Sequence, residues 1–249
     1  MLNPKSLLPL FFVGLLFVTM PLMAQPSNRS TNHSIPTVSF KPPPDEGKPD
    51  RTLGAGSRQD NQCFQNATSV STILEPSLTP LVPTSNYGLT VTERPTFLIA
   101  LSKTSAKQLI LSIKENGTIH HSQTVLSLKD SSGIISISPS ENSPPLEIGK
   151  EYRWSVVLVC GEKPRPDDPA IASWVRRVAP PQVIPSKLDK ENALIQAKWY
   201  GEQGLWYDAL LAIVEARRSQ PESEEMTEIW SNFLASVGLQ EVSSKPLRS

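Results

Sequence analysis

Residues 107–128 read KQLILSIKENGTIHHSQTVLSL, and this stretch decides the fold class. Apolar side chains recur at every second position from Leu109 to Ile113, which is the spacing of a strand with one buried face. The pair Asn116 and Gly117 then supplies two residues that tolerate the positive φ angles of a type I′ turn. The predicted β-hairpin has one strand on each side of this turn, at 107–115 and 118–128.

The same period of two extends in both directions from the hairpin, over residues 81–180. Further strands are predicted at 97–101, 133–138, 152–160 and 171–178. The strand at 152–160 places its large apolar side chains on a single face, namely Tyr152, Trp154, Val156, Leu158 and Cys160. About seven short antiparallel strands of this kind predict a β-sandwich, to which we assign residues 51–182.

Beyond Pro185 the apolar period becomes that of helices. Ser186 followed by Asp189 is the start signal of a capping box. The third helix has the clearest pattern, because an acidic first turn precedes one apolar stripe and Gly238 stands where the helix would end. The predicted helices cover 186–203, 205–219 and 223–237. Together with the strands they make an α+β fold whose helical region is 183–249.

Small and aromatic residues in the first two helices are spaced like the second half of a tetratricopeptide repeat. They are Tyr200, Gly204, Trp206, Ala209, Ile213, Ala216 and Pro221. The aromatic residue and Leu that such a repeat carries early in its first helix are replaced by Ala193 and Gln196, and the chain holds one copy. We expect a single tetratricopeptide-like helical hairpin that packs on the sandwich or on the third helix.

The first 24 residues have the order of a secretory signal peptide: Lys5, an apolar run over 7–18, and the small residue Ala24. We expect cleavage near Ala24, an exported periplasmic or extracellular protein, and no membrane span in the mature chain. An uncleaved membrane anchor is the alternative, although the apolar run is short for a bilayer. Residues 25–50, rich in Ser, Thr, Asn and Pro, are expected to form a disordered tether.

The chain has two cysteines, Cys63 and Cys160. In an oxidising compartment an even pair predicts a disulfide, because nothing there keeps thiols reduced. Two buried free thiols are the alternative. Export is therefore the premise of the predicted bridge.

The charge balance bears on the class of partner. The chain has 24 basic and 24 acidic residues and a formal net charge of zero. Nucleic acids and anionic membranes both need a concentrated basic patch. The composition therefore argues against either as the partner, and no sequence motif indicates a cofactor.

Two short segments contain residue types that are found in ligand sites. Gly54, Gly56 and Arg58 resemble a glycine-rich anion cradle, but the Lys-Ser/Thr ending of a P-loop is missing. A turn at the start of the folded domain is the alternative reading. His120 and His121 are neighbours on a predicted strand, so they point to opposite faces and cannot hold one metal ion together. We assign no metal ligand and no catalytic residue.

The acidic pairs have structural interpretations. Asp167-Asp168 is expected in a solvated loop, and Glu224-Glu225 at a helix start. Paired carboxylates can hydrolyse glycosidic bonds wherever the fold brings two together. Neither pair is assigned that role.

Aromatic residues of the helical region offer the other candidate site. Trp206 and Trp230 fall on apolar stripes and are expected to be buried. Tyr207 lies off the stripe and is the predicted exposed contact for a partner protein.

Several segments together resemble a cyanobacterial family known as domain of unknown function 928. They are 54–58 (GAGSR) with Cys63, 88–91 (GLTV), 93–97 (ERPTF), 149–154 (GKEYRW) with Cys160, 204–210 (GLWYDAL) and 236–239 (SVGL). The resemblance covers about residue 50 to the C-terminus. It implies a bacterial exported protein, and it brings no activity, substrate or catalytic residue.

The sequence supports three functional hypotheses. The first is a non-catalytic exported module that binds another protein or an envelope component. The second is a β-sandwich that binds carbohydrate or hydrolyses it weakly, since Tyr and Trp on strand faces can stack on sugars. The third is a structural part of the envelope without a discrete ligand.

Overall fold

The computed structural model describes residues 37–43, 63–64, 78–128, 132–182 and 192–248. The strands are β1 Leu78–Pro80, β2 Tyr87–Thr90, β3 Phe97–Leu101, β4 Gln108–Glu115, β5 Ile119–Ser127, β6 Gly133–Ile137, β7 Glu151–Val159 and β8 Ala170–Arg177. The helices are α1 Ala193–Glu202, α2 Trp206–Ser219 and α3 Glu224–Ala235, followed by a short 3₁₀ turn at Gln240–Val242.

The strands form two sheets, one with the order β1-β3-β6 and one with the order β2-β8-β7-β4-β5. Neighbouring strands are antiparallel except β2 and β8, which pair in parallel from Tyr87↔Trp174 onward. The prediction of antiparallel strands only is therefore wrong for this pair. Side-chain periodicity reports which face of a strand is buried, and it does not report the direction of a partner far away in sequence. Two mostly antiparallel sheets with three helices confirm the α+β class.

The predicted hairpin is confirmed as β4 and β5, paired from Gln108↔Ser127 to Glu115↔Ile119. Asn116 and Gly117 have φ angles of 49° and 75°, both in the left-handed region that the turn requires. The register shifts by one residue beyond Ile113, which is a β-bulge. The other predicted strands agree with the structure to within about two residues at each end.

Aromatic side chains connect the two sheets. The ring of Phe97 on β3 stacks on that of Trp154 on β7, with centroids 4.6 Å apart. The four inward residues of β7 between Tyr152 and Leu158 are completely buried. Because the predicted alternation of β7 is confirmed, the same face that the sequence marked as apolar lies in the shared core.

Helices α2 and α3 begin and end near the predicted residues. Helix α1 begins at Ala193, where the Asn192 side chain accepts a hydrogen bond from the Ile195 N–H, and the predicted start at Ser186 lies outside the described residues. Ser223 caps α3 in the same way, and Glu224 and Glu225 lie in its first turn as predicted. Gly238 ends this region with a φ of 82°.

Residues 37–43 lie within the predicted tether and contact the helical region. Val38 is only 3% exposed, and the Lys41 N–H donates to the Gly201 carbonyl. These seven residues carry the apolar side chains Val38 and Phe40, which most of the predicted tether lacks. The predicted signal peptide at 1–24 and the rest of the tether lie outside the described residues.

A disulfide joins Cys63 to Cys160, whose Cα atoms are 5.1 Å apart. The Cys63 carbonyl also accepts hydrogen bonds from the Thr104 hydroxyl, at 2.7 Å, and from the Ser105 N–H, at 2.9 Å. The bridge thus links the segment before the sheets to the end of β7. Within the described ranges, no helix is long and apolar enough to cross a membrane.

Removing the disulfide should lower stability substantially. Replacing Cys63 and Cys160 together by Ala opens a loop with a sequence separation of 97. In the chain-entropy model this costs about 4–5 kcal/mol in the free energy of unfolding. Urea denaturation of the double variant and of reduced wild-type protein measures the loss, and the two should agree. Equal stability of oxidised and reduced wild-type protein would contradict the expectation.

Candidate functional site

Tyr207 lies in the first turn of α2, where the helix meets the sheet, and it is 2% exposed. Its hydroxyl accepts a hydrogen bond from Trp154 Nε1 at 2.7 Å and donates one to the Trp174 carbonyl at 2.9 Å. The prediction that Tyr207 is an exposed partner contact is therefore wrong. That prediction assumed that α2 buries a single apolar stripe, whereas nine of its fourteen residues are buried.

The close approach of α2 depends on a glycine. A Cβ placed on Gly88 of β2 would lie 2.9 Å from Tyr207 Cε2 and 3.0 Å from Trp206 Cβ. Any side chain at this position would therefore push the helix away from the strand. The Tyr207 ring also packs edge-on against Phe97, with centroids 5.3 Å apart.

Asp208 holds the same helix to the end of β2. Its carboxylate accepts hydrogen bonds from the Thr92 hydroxyl at 2.8 Å, the Val91 N–H at 3.1 Å and the Thr90 hydroxyl at 3.2 Å. Burial raises the pKa of this carboxyl, and the three donors act in the opposite direction. Its place in the first turn of α2 also favours negative charge there.

Four of the six segments that carry the family resemblance meet where α2 packs on β2, and we call this contact the junction. Gly88 comes from 88–91, Phe97 from 93–97, Trp154 from 149–154, and Tyr207 and Asp208 from 204–210. Their polar atoms pair with one another in the interior, and burial raises the pKa of the Tyr207 hydroxyl. Buried groups paired in this way position a helix, and they do not present an acid or a base to a substrate.

The glycine-rich segment and the two histidines are the other candidates that the sequence offered. Gly54, Gly56 and Arg58 lie outside the described residues. His120 is exposed, and His121 Nε2 lies 3.1 Å from the Pro144 carbonyl oxygen. The part of the chain that the structure describes contains no group of three or more His, Cys, Asp or Glu side chains arranged to hold a metal ion.

Asp168 is buried, so its interpretation as a solvated loop residue is wrong. Its carboxylate accepts hydrogen bonds from the Arg165 N–H at 2.8 Å and the Cys160 N–H at 3.4 Å. It closes the turn between β7 and β8 beside the disulfide. Asp167 is half exposed, and this agrees with the solvated loop that the sequence predicted for the Asp167-Asp168 pair.

Three of the four sheet edges are blocked. The C-terminal tail covers β6, since the Ile134 N–H donates to the Pro246 carbonyl and the Arg248 N–H donates to the Ile134 carbonyl, both at 2.8 Å. Strand β1 has three residues and ends at Pro80. Strand β2 is buried along its whole length, in contact with α2.

Strand β5 is the edge without a main-chain partner among the described residues. The N–H and C=O groups of its nine residues bond there to β4 alone, while the Thr124 hydroxyl accepts a hydrogen bond from the Ser140 N–H at 3.1 Å. Between residues 119 and 127 there is no Lys, Arg, Asp or Glu, and Ile119 and Val125 are 60% and 59% exposed. Natural proteins usually protect such an edge with charge, Pro or a cover. The sequence predicted the strand but not its edge position, because an uncharged strand is more typical of the interior of a sheet.

Removing the Tyr207 hydroxyl should destabilise the junction. Tyr207→Phe leaves Trp154 Nε1 buried without an acceptor, which costs about 1–3 kcal/mol in the free energy of unfolding. Tyr200→Phe is the matched control, because Tyr200 is half-buried and its hydroxyl makes no hydrogen bond with the described residues. Urea denaturation compares the two, and equal losses would contradict the assignment.

The Asp208 pKa predicts a dependence of stability on pH. The pKa of Asp208 is higher in the folded protein than in the unfolded chain, so the folded protein binds this proton more readily. Its stability therefore falls as the pH rises from the unfolded-state pKa through the folded-state pKa. The Asp208→Asn variant lacks this carboxyl group and therefore does not titrate at this position. The free energy of unfolding of wild type minus that of Asp208→Asn should decrease from about pH 4 upward and then level off. Urea denaturation at successive pH values measures this difference, and an increase with pH would contradict the prediction.

Comparison with known proteins identifies a family without an assigned activity. The family described as Domain of Unknown Function (DUF928) matches residues 53–247. No curated protein shows significant similarity to the chain. The solution structure of the fn3 domain of human collagen alpha-1(XX) chain is similar at 14% identity over 49% of this chain and 97% of that one. A TM-score of 0.27 does not establish a shared fold. The match over most of the length shows that the chain belongs to the DUF928 family.

Proposed function

We propose that this protein is a non-catalytic exported module that binds an extended segment of another envelope or secreted protein along β5. The partner segment would add a strand to the five-stranded sheet, so that main-chain hydrogen bonds supply affinity. The two sheets form a sandwich around Phe97 and Trp154, and α1 and α2 form one tetratricopeptide-like hairpin that packs on it. No nucleic acid, cofactor or metal takes part.

Export is supported by two features of the chain. Residues 1–24 have the order of a signal peptide. The disulfide between Cys63 and Cys160 is of the kind that persists in oxidising compartments such as the periplasm or the cell exterior. A partner met after export would therefore be another envelope or secreted protein.

The open edge of β5 is the observation that carries the proposal. Among the residues that the structure describes, the C-terminal tail covers β6 and a helix covers β2, while the outward main-chain groups of β5 have no partner. Exposed Ile119 and Val125 add apolar contact at two positions along it. An uncharged strand also accepts many neighbouring sequences, because it repels neither sign of charge.

Site-specific photo-crosslinking tests this edge. A photoreactive amino acid at Gln123, an exposed residue of β5, should capture a discrete protein in the exported fraction of producing cells. The same group at Ile195, which is 46% exposed on α1, is the control and should not capture it. Absence of a product specific to position 123 would overturn the proposal.

A charge on the edge should abolish the captured product. Ile119→Lys combined with Val125→Lys places two cations along β5, and both side chains are more than half exposed, so folding should be unaffected. We expect at least a tenfold lower yield of the Gln123 adduct. Ile148→Lys is the matched control, because Ile148 is 54% exposed but lies outside β5. An undiminished yield in the double variant would contradict strand addition.

Carbohydrate binding is the second candidate, and the half-exposed Trp174 favours it. On β8 this residue is paired with Arg153 of β7 and Tyr87 of β2, which gives an aromatic and a basic neighbour on one sheet surface. The Trp174 ring already contacts the β4–β5 turn, since a Cβ on Gly117 would lie 2.9 Å from it. A glycan array and a polysaccharide hydrolysis assay, each repeated with Trp174→Phe, distinguish this function. Silence in both assays excludes it.

A further inference from the structure

Residues 37–43 (TVSFKPP) lie along the helical region like a bound peptide. Their exposure alternates in the manner of an extended segment: Val38 is buried and Phe40 half-buried, while Thr37, Ser39 and Lys41 are exposed. The segment lies against the end of α1, the turn that follows and the start of α2. We call this surface the helical groove, lined by Gly201, Gly204 and Trp206.

The helical groove is shaped for a peptide backbone. A Cβ on Gly201 would collide with the Ser39 carbonyl oxygen, and one on Gly204 would lie 3.0 Å from the Lys41 carbonyl oxygen. The Lys41 N–H donates a 3.0 Å hydrogen bond to the Gly201 carbonyl, near the end of α1. The same carbonyl accepts a 3.2 Å hydrogen bond from the Gly204 N–H, so its second lone pair is the one that receives the incoming chain.

The aromatic wall of the groove is held by other parts of the protein. Phe40 meets Trp206 edge to face, with ring centroids 5.0 Å apart. Trp206 donates from Nε1 to the Leu81 carbonyl at 3.0 Å and stacks on Phe233. Its position therefore does not depend on residues 37–43. A site whose walls are held independently of its occupant is suited to binding that occupant reversibly.

The contacts also define which peptide would fit. Val38 is buried, Phe40 contacts Trp206, and Pro43 Cδ lies near Gly204, where an added Cβ would be 3.2 Å from it. The side chains between them face away from the groove. The recognised pattern is therefore an apolar residue, an aromatic residue two positions later and a Pro three positions after that.

We propose that the helical groove is a peptide-binding site for extended segments with this apolar-x-aromatic-x-x-Pro pattern, and that residues 37–43 are its resident occupant. A second protein with such a segment binds by displacing them. The site is separate from β5, so it makes the protein an adaptor with two peptide-binding surfaces. Because the resident segment is tethered, it competes at high effective concentration, and the groove opens only to an abundant or multivalent partner.

The test uses the full-length protein and a fluorescently labelled peptide of sequence TVSFKPP. Phe40→Ala weakens the resident segment without altering the groove. We expect this variant to bind the peptide at least tenfold more tightly than wild type, measured by fluorescence anisotropy. A peptide with Ala in place of its Phe should not bind.

Two further variants make the outcome decisive. In the Phe40→Ala background, Gly201→Ala should abolish peptide binding, whereas Gly161→Ala should not, because a Cβ at Gly161 approaches its nearest neighbour at 3.9 Å. Lys41→Pro removes the backbone donor to Gly201 together with an exposed Lys side chain, and serves as a second way to weaken the resident segment. If both weakened variants stay folded by circular dichroism and neither binds the peptide, the proposal is wrong. Unfolding of both variants also overturns it, because the segment would then be an integral part of the core.

Discussion

The rest of the structure depends on how closely α2 approaches the sheet. Gly88 allows contact, Tyr207 reaches through to hydrogen bond with Trp154, and Asp208 collects three donors at the end of β2. Each polar group is satisfied in the interior, where an unpaired group would be costly. These contacts therefore fix both the distance of α2 from the sheet and its rotation about its own axis. Its position in turn sets the turn after α1 and the wall of the helical groove.

Two segments outside the strands and helices, residues 37–43 and the C-terminal tail, cover surfaces that those elements leave exposed. Residues 37–43 fill the helical groove, and the tail at Pro246 and Arg248 extends the small sheet beyond β6. Both act through main-chain hydrogen bonds together with a few apolar side chains. Among the described residues, the uncharged edge of β5 lacks such a main-chain partner.

Local patterns predicted most elements and failed where long-range packing decides. The hairpin around Asn116 and Gly117 was predictable because turn chemistry and alternation lie within about twenty residues. Tyr207 was misplaced because α2 is buried around most of its circumference, which a one-sided stripe does not anticipate. Asp168 is a local exception: it was misplaced because its carboxylate accepts hydrogen bonds from the nearby backbone N–H groups of Arg165 and Cys160, and residue type alone does not show such a turn.

The sequence by itself determined the α+β class, the hairpin, the inward face of β7 and the ends of α2 and α3, since each follows from short-range periodicity, turn residues or caps. It also marked the segments that carry the family resemblance. Only the tertiary structure decided that four of these segments meet around Tyr207, that β2 runs parallel to β8, and that β5 is an edge strand among the described residues. The physical reason is that such contacts join residues 50 to 120 positions apart, where no local preference selects the partner.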